Sequence, residues 1–157
     1  MELTVFNDQL YVGLLSFPRG FALMRTPMKD IHSVVEDDWE LITGNGFARE
    51  QREQLGARVS GNEYPWSSAV INGVYVIGTM TISQRGISTK SSELLGMQPQ
   101  LWATKNGKDW TLVKHNDQPG FLFGYRTMQV TKDQKTLYIG SSSNLYKQVD
   151  KDNQFGK

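Results

Sequence analysis

Arginine and aromatic side chains carry the strongest chemical signal in this chain. Arg19, Arg49, Arg52, Arg58, Arg85 and Arg126 recur in or beside loop-like stretches. A guanidinium clamps a carboxylate with two parallel hydrogen bonds, which an ammonium cannot do. Phe17, Tyr64, Trp66, Phe121, Phe123 and Tyr125 fall in or next to the same stretches. Sugar rings present flat apolar C–H faces, so an exposed Trp or Tyr makes a stacking platform with a polar end left for hydrogen bonds. Tyr64, Trp66, Arg85, Tyr125 and Arg126 are therefore the expected ligand-binding set. The competing expectation is that the aromatics close a core beneath the loops.

Catalytic chemistry is harder to find. A glycosidase needs two carboxyl groups about 5–9.5 Å apart with separated pKa values. Asp37 and Asp38 lie beside Trp39 in a turn-like stretch, and Glu63 precedes Tyr64-Pro65-Trp66 without an identifiable partner. No nucleophile–base pair can be named. His32 and His115 are far apart and lack metal-ligand spacing. The Asp residues do not form a calcium loop, and Gly44-Asn45-Gly46 lacks the strand-to-helix context of a phosphate loop. The chain has no cysteine, which excludes disulfides and thiolate chemistry. These residues imply no cofactor and no metal.

Bulk properties narrow the partners. The 157 residues carry 17 Lys+Arg against 16 Asp+Glu, a formal charge of +1. No basic face is concentrated enough for nucleic acid. No apolar run approaches the roughly 18 residues of a membrane span. Met1-Glu2-Leu3-Thr4-Val5-Phe6 reads as a strand rather than a secretory signal, so the cytoplasm is expected if Met1 is the native start. The compartment otherwise stays open.

The elements that position these residues come from a repeat. Val5 through Gly13 aligns without a gap on Val70 through Gly78, and Met128 through Gly140 is a third copy with a longer turn. Each copy reads as two β-rich runs around Asn7-Asp8, Asn72-Gly73 or Lys132-Asp133-Gln134-Lys135. A third strand follows at Ala22–Thr26, Gln100–Thr104 and Asn144–Gln148, and a fourth begins at Trp39 and Trp110. Four short antiparallel strands per repeat of about 60–65 residues is the pattern of a β-propeller blade. The expected fold is therefore all-β, with propeller-like four-stranded antiparallel blades. Blade 1 spans 2–43, an insertion with a short helix from Phe47 spans 44–63, blade 2 spans 64–115, and a partial blade 3 spans 124–149. The long loops between strands two and three, and between blades, emerge at one end of such an array.

Ala103-Thr104-Lys105-Asn106-Gly107-Lys108-Asp109-Trp110 resembles the Asp box, the bacterial neuraminidase repeat Ser-x-Asp-x-Gly-x-Thr-Trp. Gly107 and Trp110 match it, while Lys105 and Ala103 replace its Asp and Ser. The resemblance implies a propeller in which this turn is structural and lies away from the ligand end. Propellers host sialidases, lectins and scaffolds alike. About two and a half blades cannot close a ring, so the ring is expected to be completed by identical chains or by further sequence. An open stack would expose apolar blade faces, and a homo-oligomer is expected. The leading functional expectation is a non-catalytic binding module for a glycan or a protein. A sialidase- or glycosidase-type hydrolase is the alternative, and a purely structural unit is the third reading.

Overall fold

The computed structural model describes residues 1–16, 19–28, 33–47, 62–81, 99–115 and 122–143. Ten strands follow in order: β1 (Glu2–Phe6), β2 (Gln9–Leu14), β3 (Ala22–Pro27), β4 (Glu40–Thr43), β5 (Tyr64–Ile71), β6 (Val74–Met80), β7 (Gln100–Thr104), β8 (Thr111–His115), β9 (Leu122–Val130) and β10 (Leu137–Ser143). The fold is all-β and antiparallel. A 3₁₀ turn, Glu36–Asp38, precedes β4. Among the described residues no helix is long and apolar enough to cross a membrane.

Turn chemistry sets the registers. Asn7 and Asp8 both have positive φ (48° and 56°), as do Asn72 and Gly73 (47° and 72°). This is the two-residue hairpin turn whose twist matches that of its strands, and Asn, Asp and Gly tolerate it at the lowest cost. It places Phe6 opposite Gln9, and Ile71 opposite Val74. The β9–β10 turn is longer. Thr131 Oγ1 donates to Asp133 Oδ1, which also accepts from the Lys135 backbone N–H.

β1-β2-β3-β4 form one sheet. β5-β6-β7-β8 form a second meander, and the β9–β10 hairpin joins it through one bridge between Met80 and Gly124. Strand alternation gives each sheet two faces. The front of the first sheet carries Phe6, Tyr11 and Leu23, which pack with Tyr75 and Ile77 on the back of the second. The front of the second carries Val76 and Leu101, which pack with Tyr125, Met128 and Leu137 of the hairpin. Tyr11 and Tyr75 meet edge-on with ring centroids 5.1 Å apart. Each large side chain buried here contributes about 1.5–3 kcal/mol, so neither sheet is stable without its neighbour.

Polar contacts lock the first interface. Arg25 is 4% exposed. Its Nε and Nη2 donate to Glu40 Oε2 at 2.8 and 2.6 Å, and its Nη1 donates to Tyr11 Oη at 3.3 Å and to the Gly107 carbonyl at 3.2 Å. Burial works against this guanidinium's charge, but its hydrogen bonds to Tyr11 and Glu40 outweigh burial and leave its pKa raised. On the inner strands, Ser68 Oγ donates to Glu2 Oε1 and bonds Thr4 Oγ1.

Phe47, the expected start of the short helix, has a φ of +60°, and its ring packs 4.9 Å from Trp102 and 5.1 Å from Trp110. Residues 48–55, over which the short helix is expected to continue, lie outside the described residues. In the 104–109 turn it is Asn106 that organises the backbone. Asn106 Oδ1 accepts from the Lys108 and Asp109 N–H groups at 2.9 Å each, and Thr104 Oγ1 accepts from Gly107 N–H at 2.8 Å. The third-strand expectation at Asn144–Gln148 falls outside the described residues.

Candidate ligand site at the bulged starts of β5 and β9

β5 carries one extra residue and β9 carries two, of which one in each strand matters here. Pro65 pairs with Thr79 and Ser67 with Gly78, so Trp66 bulges out of the ladder. Tyr125 pairs with Ser141 and Thr127 with Gly140, so Arg126 bulges in the same way. A bulge re-aims its side chain away from the alternation of the strand. Here the two bulged residues meet: the Arg126 guanidinium carbon lies 5.4 Å from the centroid of the Trp66 ring. Gly124 makes room for the indole, since a Cβ there would sit 2.5 Å from Trp66 Cε3 and 3.0 Å from Met80 Cα. Ser67 Oγ donates to the Tyr125 carbonyl at 2.7 Å and ties the two strands together at this point.

Of the predicted set, the structure brings Tyr64, Trp66 and Arg126 to the same end of β5 and β9. Tyr64 and Trp66 are half-buried and Arg126 is exposed. The Met1 amino group donates to the Tyr64 hydroxyl. Tyr125 lies in the core between the second sheet and the hairpin, 6% exposed, with its Cβ against Gly78. Its ring is packing rather than a platform. Arg85 lies outside the described residues. The site thus offers a guanidinium over an indole, with Tyr64 at the start of the same strand as Trp66. It can accept an anionic or hydroxyl-rich ligand by hydrogen bonding.

Among the described residues, the acids singled out in the sequence lie apart. Glu63 is fully buried, and its backbone bridges Ser16 and Met80. Asp37 and Asp38 sit in the 3₁₀ turn at the opposite end of the strands, where Asp38 Oδ2 accepts from the Val35 N–H. Among the described residues no group of three His, Asp or Glu side chains could hold a metal ion. A shallow groove of about 320 Å³, over Val74, Ala103 and Thr111, also lies at that opposite end.

Sequence reasoning missed the buried polar network that ties Gly46 and Asn62 to β6 and β7. Asn62 Nδ2 donates to the Gly46 carbonyl at 2.8 Å and to Gln100 Oε1, and Thr79 Oγ1 donates to Asn62 Oδ1 at 2.9 Å. Trp102 Nε1 donates to the same Gln100 oxygen at 3.0 Å. The one available signal was a polar residue at an inward position of two strands, Thr79 and Gln100. It was legible only with the strand registers in hand.

Comparisons with family models, curated proteins and solved structures found no match to this chain.

Proposed function

We propose that this chain is a non-catalytic binding module of propeller-like architecture that takes a glycan, one bearing a carboxylate, at the Trp66–Arg126 rim. The observation that carries the reading is the stack of Arg126 on Trp66 at two repeat-equivalent bulges. Stacking fixes the guanidinium plane, so less side-chain freedom is lost when its N–H fork meets a carboxylate. Trp66 supplies apolar surface beside it, and Tyr64 adds a hydroxyl. The architecture rests on three similar hairpins in face-to-face layers, with β1, β5 and β9 as successive neighbours, which is how blades succeed one another.

A panel of neutral and acidic oligosaccharides, screened on an array and followed by calorimetry, tests the reading. Acidic glycans should bind. Arg126→Ala should weaken them about tenfold or more, the worth of one hydrogen-bonded charge pair of about 1.5–3 kcal/mol. No binding across the panel, or equal binding by Arg126→Ala, would overturn it.

A further inference from the structure

Packing between the layers of this chain follows one rule, applied twice. The front of one layer meets the back of the next, and the glycine of the second strand receives a side chain from the following first strand. A Cβ on Gly13 would sit 2.5 Å from Pro65 Cγ, and one on Gly78 would sit 2.7 Å from Tyr125 Cβ. Pro65 and Tyr125 hold the same place, directly before the bulge.

The rule leaves one face of each kind uncovered. The back of the first sheet presents Met1, Leu3, Val5 and Leu41, which are 67%, 53%, 53% and 59% exposed. Leu3 and Val5 align with Ser68 and Val70, and Val70 is packed against the first core. The front of the β9–β10 hairpin presents Tyr138, 64% exposed, and Gly140. Tyr138 aligns with Val76 and Tyr11, both buried, and the atoms closest to a Cβ on Gly140 all belong to Thr127 of the same hairpin. The apolar cluster on the back of the first sheet is of the kind that marks a contact made elsewhere, and Tyr138 is an aromatic anchor suited to it.

Charge agrees with shape. Inside the chain the hairpin turn of one layer touches the third-to-fourth-strand turn of the next, where Asn7 Nδ2 donates to the Lys105 carbonyl at 3.3 Å. The corresponding pair across the open faces is the 131–136 turn, where exposed Lys132 and Lys135 outnumber the one exposed acid, Asp133, and the Glu36–Asp38 turn, with exposed Glu36 and Asp37. The rims are of opposite sign.

We infer that a second copy of this chain docks head to tail, the Tyr138–Gly140 face of one copy covering the Leu3–Val5–Leu41 face of the next. The inference is independent of the glycan reading. The contact joins unlike surfaces, so it closes into a ring or extends as a stack.

The test is the mass of the full chain by light scattering across a dilution series. Wild type should exceed one chain's mass and fall toward it on dilution. Val5→Glu and Tyr138→Glu alter exposed side chains, so both should keep the wild-type circular dichroism. Each should raise the dissociation midpoint roughly tenfold or more, because each places a charge in a desolvated contact. Leu41→Lys serves as a second back-face variant if Val5→Glu fails to fold. Mixed one to one, the two variants retain one intact contact, since the front of the Val5→Glu chain still fits the back of the Tyr138→Glu chain. A pair of twice the single-chain mass should form in the mixture and in neither variant alone. Salt at 1 M, where the Debye length is about 3 Å, should weaken the contact through its charged rim. A wild type at single-chain mass throughout, variants that associate like wild type, or a mixture that stays single while wild type associates would each overturn the inference.

Discussion

Arg25 joins the first sheet to the 104–109 turn of the second, and its replacement by methionine has a calculable cost. Methionine keeps most of the aliphatic stem and removes the hydrogen bonds. Two of these reach buried partners, Tyr11 Oη at 3.3 Å and the Gly107 carbonyl at 3.2 Å. Both are long, so each is taken at the lower end of the charged range, about 1.5 kcal/mol. The Glu40 side chain is 58% exposed. Water replaces its partner there, and that pair contributes about 0.5 kcal/mol. Arg25→Met should therefore cost about 3.5 kcal/mol, whereas Glu40→Ala should cost about 1 kcal/mol or less. For a domain of this size each kcal/mol lowers Tm by roughly 2–4 °C. Arg25→Met should then melt about 7–14 °C below wild type and Glu40→Ala no more than about 4 °C below. Chemical denaturation with a single two-state midpoint measures both. Equal costs for the two variants would refute the reasoning, because the ion pair rather than the inter-sheet contacts would then dominate.

Glycines and turns give further expectations. Gly78→Ala drives a Cβ to 2.7 Å from Tyr125 Cβ, and overpacking of this kind should cost about 1–3 kcal/mol, seen as a lower denaturant midpoint. Gly73→Ala meets no atom within 4 Å, so its cost should be only the φ penalty of about 1 kcal/mol. In the 104–109 turn, Asn106→Ala should destabilise by about 1 kcal/mol through loss of its caps, while Lys105→Ala should stay within about 0.5 kcal/mol of wild type. Burial pushes the Tyr75 hydroxyl well above the usual tyrosine value, against the smaller lowering effect of its bonds to Thr4 and Ser68. With the folded pKa raised, the stability from neutral Tyr75 is complete below the unfolded value of about 10. It is lost as pH rises above that value, so wild type should destabilise more steeply than Tyr75→Phe in alkaline urea titrations.

The hairpins were legible because their signals are local. Asn7-Asp8 and Asn72-Gly73 carry the backbone preference of a tight turn, and the flanking runs carry the β pattern. The Trp66–Arg126 pairing was half legible. Both residues align at the same repeat position, yet the bulge that brings them together depends on pairing with β6 and β10, which local sequence does not encode. Tyr125 shows the limit of reasoning from residue type. An aromatic next to a loop can be a platform or a core residue, and only the depth of the neighbouring hairpin decided for the core. The role of Asn106 was obscured because it sits one position after the Asp of the motif it resembles. The same Thr-x-Asn/Asp pattern at Thr43-Gly44-Asn45 and Thr131-Lys132-Asp133 also bonds Thr Oγ1 to the following side chain, and counting it would have shown the device.

The central claim is that Trp66 and Arg126 meet a ligand at the bulged rim. The most direct measurement is an NMR titration with an acidic oligosaccharide that binds. The account predicts saturable shifts of the Trp66 indole N–H and the Arg126 Nε–H, while the Trp102 and Trp110 indoles, packed against Phe47, stay in place. Shifts confined to other surfaces, or an unmoved Trp66 resonance at saturation, would contradict it.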